Sequence, residues 1–239
     1  MSRRWHALAI EATAAELRAD SAGGLTQAEA ARRLAQSGPN ELPHAPPVSA
    51  LRLLLDQFTS LIVWVLIGAA IVSGLLQEWV DAIAIVAIVI LNAVLGFVQE
   101  FRAERSLAAL KQMAVMTARV LRDGVLVSLP ARDLAPGDLI QVEAGDRIPA
   151  DARLTYATAL QTQEASLTGE STPVVKSAEP IAREDTPLGD RRNMLYMGTV
   201  AVSGKGRALI VGTGLRTELG RIAAMIEQAT LAEREETPL

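Results

Sequence analysis

The chain of 239 residues has no cysteine, two histidines and only 3% aromatic side chains. The lack of cysteine rules out a disulfide framework and a thiolate metal site, and it fits a cytoplasmic setting for whatever parts are soluble. His6 and His44 stand far apart without ligand-like neighbours, so both read as exposed polar residues and not as metal ligands. A formal net charge of −4 offers no basic surface, and so few aromatics offer no platform for stacked bases, so nucleic acid is not an expected partner. No Gly-x-x-x-x-Gly-Lys sequence followed by Ser or Thr is present to cradle a nucleotide. The first apolar run, residues 7–10, stops at Glu11, too early for the hydrophobic region of a signal peptide.

What is abundant is apolar sequence: half of the chain, with much of the excess between positions 58 and 98. Residues 58–76 carry no charge, and at 1.5 Å per residue they reach about 28 Å, close to the hydrocarbon thickness of a bilayer. The run 80–98 contains only Asp81 near its start and Asn92 within, and Gln77-Glu78-Trp79 joins the two by a very tight turn. These features predict a two-helix transmembrane hairpin, with Trp79 at the interface and Asn92 hydrogen-bonded to the neighbouring helix. Arg32, Arg33 and Arg52 precede the hairpin, Arg102, Arg105 and Lys111 follow it, and the turn has no basic residue, so both ends should face the cytoplasm. Ala103, Leu107, Leu110 and Ala114 continue a helical stripe past the second span while Glu100, Glu104 and Lys111 share another face, which predicts a projecting stalk. The competing reading, a core hairpin of a soluble enzyme, is disfavoured by the length of the runs and predicts purification without detergent.

Ahead of the hairpin, Leu8, Ile10 and Leu17 have loosely helical spacing within residues 5–20. Gly23-Gly24-Leu25 breaks that pattern, and Thr26-Gln27-Ala28-Glu29 has capping-box spacing, in which the Thr hydroxyl and the Glu carboxylate each satisfy a free amide. A helix over about 27–36 follows, ended by Gly38-Pro39. Pro43, Pro46 and Pro47 form a stiff linker, and residues 51–56 an amphipathic lead-in along the membrane surface.

From Thr117 the apolar period becomes two. Segments 119–122 and 125–127 flank Asp123-Gly124, a strong hairpin signal because both turn positions tolerate positive φ. Pro136-Gly137-Asp138 and Gly145-Asp146 turn the chain on either side of a strand at 139–142, and further strands are expected near 154–156, 194–202 and 207–211. A polar excursion covers 177–192, and Thr217 is placed to cap a helix carrying Leu219, Ile222, Ala223 and Ile226. The fold expected is membrane α+β: a helical N-terminal segment (1–48), the hairpin and stalk (49–112) and a β-rich domain with a C-terminal helix (113–239).

The candidate for chemistry is Ser166-Leu167-Thr168-Gly169-Glu170-Ser171, a polar loop closing the strand that begins near Leu154. Glycine beside a carboxylate, between hydroxyl residues, lets the backbone approach another surface while the carboxylate points outward, geometry suited to a general base on water. Alone, the tetrad 168–171 reads more readily as a solvated turn. Gly145-Asp146-Arg147-Ile148-Pro149-Ala150-Asp151 is acidic enough to suggest a metal site, but its density of turn residues favours a structural role.

The tetrad's flanks, Pro136-Gly137-Asp138 and the Gly145 to Asp151 run upstream and Met197-Gly198-Thr199 and Thr213-Gly214 downstream, resemble in their order the actuator domain of P-type cation-transporting ATPases. Gly24-Leu25-Thr26, Glu29-Ala30, Arg33-Leu34 and Gly38-Pro39-Asn40-Glu41-Leu42 are similar to the N-terminal segment of the calcium, sodium/potassium and proton/potassium branch, and Gln99-Glu100, Ala103-Glu104 and 107–111 to its stalk. The resemblance covers about 24–239, ending at Glu236-Thr237-Pro238-Leu239, but only the first part of a pump. It implies that Glu170 orients and activates a water attacking an aspartyl phosphate, that Thr168 and Gly169 shape the loop around the phosphoryl group, that Ser171 braces it, and that Glu164 is supporting structure. ATP and Mg²⁺ are implied for a complete pump. The partners implied are the lipid membrane, the remaining pump domains in cis or in trans and, in a complete pump, the transported cation; the cell membrane is the implied location. The Asp-Lys-Thr-Gly-Thr phosphorylation sequence does not occur, so this polypeptide alone should neither hydrolyse ATP nor move ions. The alternative is a non-catalytic, membrane-anchored β module that binds or regulates a partner.

Overall fold

The computed structural model describes residues 4–42, 49–113 and 116–236, with backbone alone at 104, 106–113, 227 and 230–236. In chain order the elements are α1 (Ile10–Leu17), α2 (Gln27–Ser37), α3 (Ala50–Asp56), α4 (Leu61–Leu75), α5 (Trp79–Met113), β1 (Thr117–Arg122), β2 (Val125–Pro130), β3 (Leu139–Glu143), β4 (Asp151–Gln163), the single turn α6 (Ala165–Thr168), β5 (Val174–Val175), β6 (Met194–Leu195), β7 (Val200–Gly212) and α7 (Glu218–Glu236). Contacts divide the chain into two units, one joining the N-terminal segment to the β-rich part and the other holding α3, α4 and α5.

In the β unit the strands pair in the order β2-β1-β3-β7-β4-β5, with β6 also on β4, and every pairing between named strands is antiparallel. β1 and β2 join through Asp123 and Gly124, both at positive φ, as the hairpin signal predicts. Alternation then sorts the side chains: Val120, Ile140, Val142, Leu154 and Ile210 enter the main core with Ile148, Leu160 and Leu195, while Leu139 and Leu209 face the other side. That second face is covered by Ala14, Leu17 and Ala19 from in and beside α1. Of the three residues whose spacing predicts this helix, Leu17 meets the sheet there, while Leu8 lies before α1.

Two strands expected near 194–202 and 207–211 are instead the short β6 and the 13-residue β7, separated by a turn at Gly198. Gly204 and Gly206 both lie within β7. In the fold Gly204 sits at φ +70 against the backbone of Ala159, where a Cβ would collide with the Ala159 carbonyl, and the register between β4 and β7 shifts around that point. The glycine marks a bulge and not the end of a strand.

The N-terminal motifs are docking devices. Leu25 makes a parallel bridge to Arg122, the Asp123 amide donates to the Leu25 carbonyl (3.0 Å), and the Asp123 carboxylate accepts from the Gln27 amide (2.9 Å). Arg33 donates to the carbonyls of Leu17, Arg18 and Pro136 at 2.8, 2.9 and 3.0 Å. Asn40 is buried: its amide nitrogen donates to the carbonyls of Ala131 (3.0 Å) and Pro149 (2.9 Å), and its oxygen accepts from the Gly214 amide (2.9 Å). Thr26 caps α2 by accepting from the Glu29 amide (3.2 Å). The other half of the expected capping box is not formed, because the Glu29 carboxylate is taken by Arg32 and Arg33, which hold it near a pKa of about 2.

His6 is buried, contrary to the expectation of an exposed residue, and its Nε2 lies 3.1 Å from the Glu184 carbonyl. Burial, with Arg191 nearby, lowers its pKa. His44, the proline linker at 43, 46 and 47, the stripe position Ala114, and the side chains of Glu104, Leu107, Leu110 and Lys111 lie outside the described residues.

In the helical unit α4 and α5 pack against each other through a turn in which Gln77 has φ +64 and the Glu78 amide donates to the Ser73 carbonyl (2.9 Å). The helix expected over 58–76 is shorter, starting at Leu61, because Ser60 takes an extended N-cap conformation and the Thr59 hydroxyl donates to the Asp56 carbonyl (2.7 Å). Among the described residues one helix is long and apolar enough to cross a membrane, α5 over Trp79–Ala103. Helices α3 and α4 reach that length only as a pair bent by 65°. Asn92 is exposed on α5, and no side-chain hydrogen bond joins it to α4 among the described residues, so the expected cross-helix bond is not formed.

Candidate functional site

The candidate loop leaves the end of β4. Thr162 and Glu164 face inward at the period of the strand, and the chain then makes the single turn α6, in which the amides of Leu167 and Thr168 donate to the Glu164 carbonyl (2.9 and 3.0 Å). The Thr168 hydroxyl also reaches that carbonyl (3.2 Å) and accepts from the Glu170 amide (3.2 Å), so Thr168 ties the tip to the strand end. Gly169 closes the turn at φ +77, donating to the Ala165 carbonyl (3.0 Å). Open space surrounds the position where its Cβ would lie, so within this chain glycine is required by the left-handed backbone and not by close approach. Glu170 and Ser171 are exposed, and the Glu170 carboxylate has no hydrogen-bond partner among the described residues. Ser171 contributes its carbonyl, which accepts from Gln163 Nε2 (2.8 Å).

The loop returns through β5, where Gln161 pairs with Val175 and Thr162 with Val174. One residue further, the fully buried Lys176 pairs with Glu164. Thr162 donates to the same carboxylate oxygen (2.8 Å), and the Lys176 ammonium lies 5.7 Å from the centre of the Tyr196 ring. Burial pulls the Lys176 pKa down, against the attraction of Glu164, and pushes the Tyr196 phenol up. Sequence reading anticipated a supporting role for Glu164 but passed over Lys176, which follows two valines and looks like a solvated strand end. The signal that could have found it is the position itself, next in register after two paired residues and opposite a strand whose inward positions include a glutamate. The polar excursion also comes close: a Cβ on Gly189 would lie 3.4 Å from the Thr168 methyl.

The acidic turns around the loop are structural. Asp138 accepts from Arg122 Nε (2.9 Å) and Nη2 (2.7 Å) and from the Ala135 amide (2.8 Å). Asp146 accepts from the Glu143 amide (2.8 Å) and pairs with Arg119 (2.6 Å). Asp151 accepts from the amides of Met197 (2.8 Å) and Glu218 (2.7 Å), fixing the start of α7 beside Thr217, whose hydroxyl accepts from the Gly220 amide (2.9 Å). Among the described residues no group of three or more His, Cys, Asp or Glu could hold a metal ion. A depression of about 600 Å³ lined by Glu11, Gln141, Tyr156, Lys205 and Arg207 contains no residue of the loop.

Residues 112–227 match the family model of the P-type ATPase actuator domain, and residues 5–73 match that of the cation transporter/ATPase N-terminus. The chain belongs to the P-type ATPases. It is 47% identical over 206 residues to a calcium-transporting ATPase of Bacillus subtilis, an alignment covering 86% of this chain and 23% of that protein. It is 41% identical over 234 residues to the probable cation-transporting ATPase F of Mycobacterium tuberculosis, covering 98% of this chain and 25% of the relative. Identity to the endoplasmic reticulum-type calcium-transporting ATPase 2 of Arabidopsis thaliana is 39% over 232 residues, covering 90% and 22%. The chain spans about a quarter of the length of these relatives. Its β domain is an actuator domain, and the candidate loop lies inside the matched range.

Proposed function

We propose that this chain is the actuator-bearing part of an ATP-driven cation pump of the calcium-transporting type, and that its Glu170 loop promotes hydrolysis of an aspartyl phosphate carried by the rest of the pump. The observation that carries the reading is the Glu170 carboxylate, exposed and unpartnered among the described residues at the tip of a loop held at both ends. Glu170 accepts a hydrogen bond from water, aligns its oxygen on phosphorus and takes up a proton as the bond to the aspartate oxygen breaks, giving inorganic phosphate and a free aspartate. Positioning supplies most of the acceleration. Thr168 and Gly169 shape the tip and Ser171 braces it.

The helices α4 and α5 serve as a membrane hairpin with both chain ends cytoplasmic, in a multi-pass protein of the cell membrane, and α5 continues beyond the bilayer as the stalk. A complete pump would take ATP and Mg²⁺ through domains that this chain meets in cis or in trans. The names of relatives point to calcium as the cargo. This chain by itself is expected to show neither ATP hydrolysis nor transport.

The test is phosphoenzyme turnover in membranes where the 239-residue chain is co-expressed with a matching C-terminal pump portion. With Glu170→Gln the phosphoenzyme should decay at least about 100-fold more slowly, the range lost with a general base. Equal decay in both would remove Glu170 from the mechanism and favour a non-catalytic, membrane-anchored β module.

A further inference from the structure

We infer that Lys176, through its buried ion pair with Glu164, is a positioning residue for the catalytic loop, locking the register in which β5 returns along β4. The inference rests on the reading of Glu170 as the group that activates water. The loop runs over 165–175, with Glu164 immediately before it and Lys176 immediately after. Their side chains are 1% and 0% exposed. Glu164 keeps one carboxylate oxygen without a hydrogen-bond partner among the described residues, so Lys176 and the Thr162 hydroxyl carry its interactions.

Register at the base of this loop needs such a lock. β5 is two residues long, and neither of its side chains supplies an apolar anchor: Val174 is half-buried and Val175 is 56% exposed. A strand this short, with no fully buried apolar side chain to mark its inner face, holds its register weakly. A slip of one residue would carry the loop by about 3.3 Å and turn the next side chain to the opposite face. Catalytic geometry tolerates far less, since a misplacement of about 1 Å can cost about 100-fold in rate. With Lys176 in the chain, a slipped register would expose its ammonium on one face and leave Glu164 buried without a cation on the other, so the electrostatics reject it. Buried ion pairs are commonly no more stabilising than apolar residues of similar volume, and fixing one arrangement among several is their best-attested use.

The experiment uses the 239-residue chain with its C-terminal pump portion and compares the parent, Glu170→Gln, Lys176→Met and the double variant Glu164→Gln/Lys176→Met. The double variant removes both charges and so spares the fold the isolated buried charge left by the single one. It should unfold at the parent temperature and form phosphoenzyme at the parent rate, yet hydrolyse it at least about tenfold more slowly. Amide hydrogen exchange over 165–175, measured on the 239-residue chain alone, should be accelerated in the double variant. Hydrolysis at the parent rate in the double variant, with Glu170→Gln slow, overturns the inference and leaves the role of Glu170 standing. If Glu170→Gln is itself not slow, the functional reading fails, and the exchange data still decide whether the pair locks the loop: unchanged protection overturns the lock as well.

Discussion

In the helical unit Leu61, Leu75 and Val80 are 78%, 79% and 81% exposed, whereas in the actuator domain Val120, Ile148, Leu154 and Leu195 are completely enclosed. Both regions are built from the same aliphatic side chains, so the difference lies in what surrounds them. The actuator makes its own apolar medium from strands far apart in sequence, and the helices leave theirs to something outside the chain. Polar groups divide in the same way. The backbone of α4 and α5 is satisfied within a turn of each group, whereas the buried Arg153 guanidinium donates to the carbonyls of Leu154, Ala178 and Leu8, the last 145 positions away. Burial lowers that guanidinium to a pKa of about 10. The actuator thus depends on specific distant partners, and the helices depend on length and composition.

Substitutions should separate the two regions accordingly. Asp138→Ala leaves the Arg122 guanidinium buried without its carboxylate and should cost the actuator about 3–5 kcal/mol, seen as a large drop in the thermal midpoint of the chain in detergent. A loss below about 1 kcal/mol would blur the contrast. Asn40→Ala strands the Pro149 carbonyl and the Gly214 amide, takes one of two donors from the Ala131 carbonyl, and should cost about 3 kcal/mol, while making the first 40 residues the preferred site of proteolysis. Cleavage confined to other loops would show that the N-terminal segment is held without it.

A smaller effect concerns pH. Burial pushes the Asp151 carboxyl up to about 6 from an ordinary 3.8, against its two amide hydrogen bonds. The folded state therefore keeps a proton that the unfolded chain releases. This contribution is fully present below pH about 4 and is lost as pH rises through about 6, a change on the order of 2–3 kcal/mol. Asp151→Asn should flatten that stretch of the stability curve, and an unchanged slope would assign it to another group. The smallest effect is expected at Ile83, 67% exposed on α5, where Ile83→Ala should alter actuator unfolding by less than about 0.5 kcal/mol.

Much of the candidate site was legible because its signals are local. Gly169 at φ +77 and the hairpin at Asp123-Gly124 follow from which residues tolerate a left-handed backbone, and Thr26 and Thr217 are caps by position. Signals that need a partner were misread or missed. Glu29 looked like half of a capping box until Arg32 and Arg33 claimed it, and His6 looked exposed until the excursion at Glu184 covered it.

The residues themselves determined which segments are helical and which extended, which runs are apolar enough to leave water and which loop carries a lone carboxylate, because each depends on neighbours within a few positions. Only the tertiary structure decided that Asn40 and Arg33 fasten the N-terminal segment to the actuator, that α1 covers Leu139 and Leu209, and that Lys176 meets Glu164 beneath the loop. Those contacts exist only once the sheet has brought distant segments together, and the low dielectric of the interior then makes each buried polar group depend on the partner it finds there.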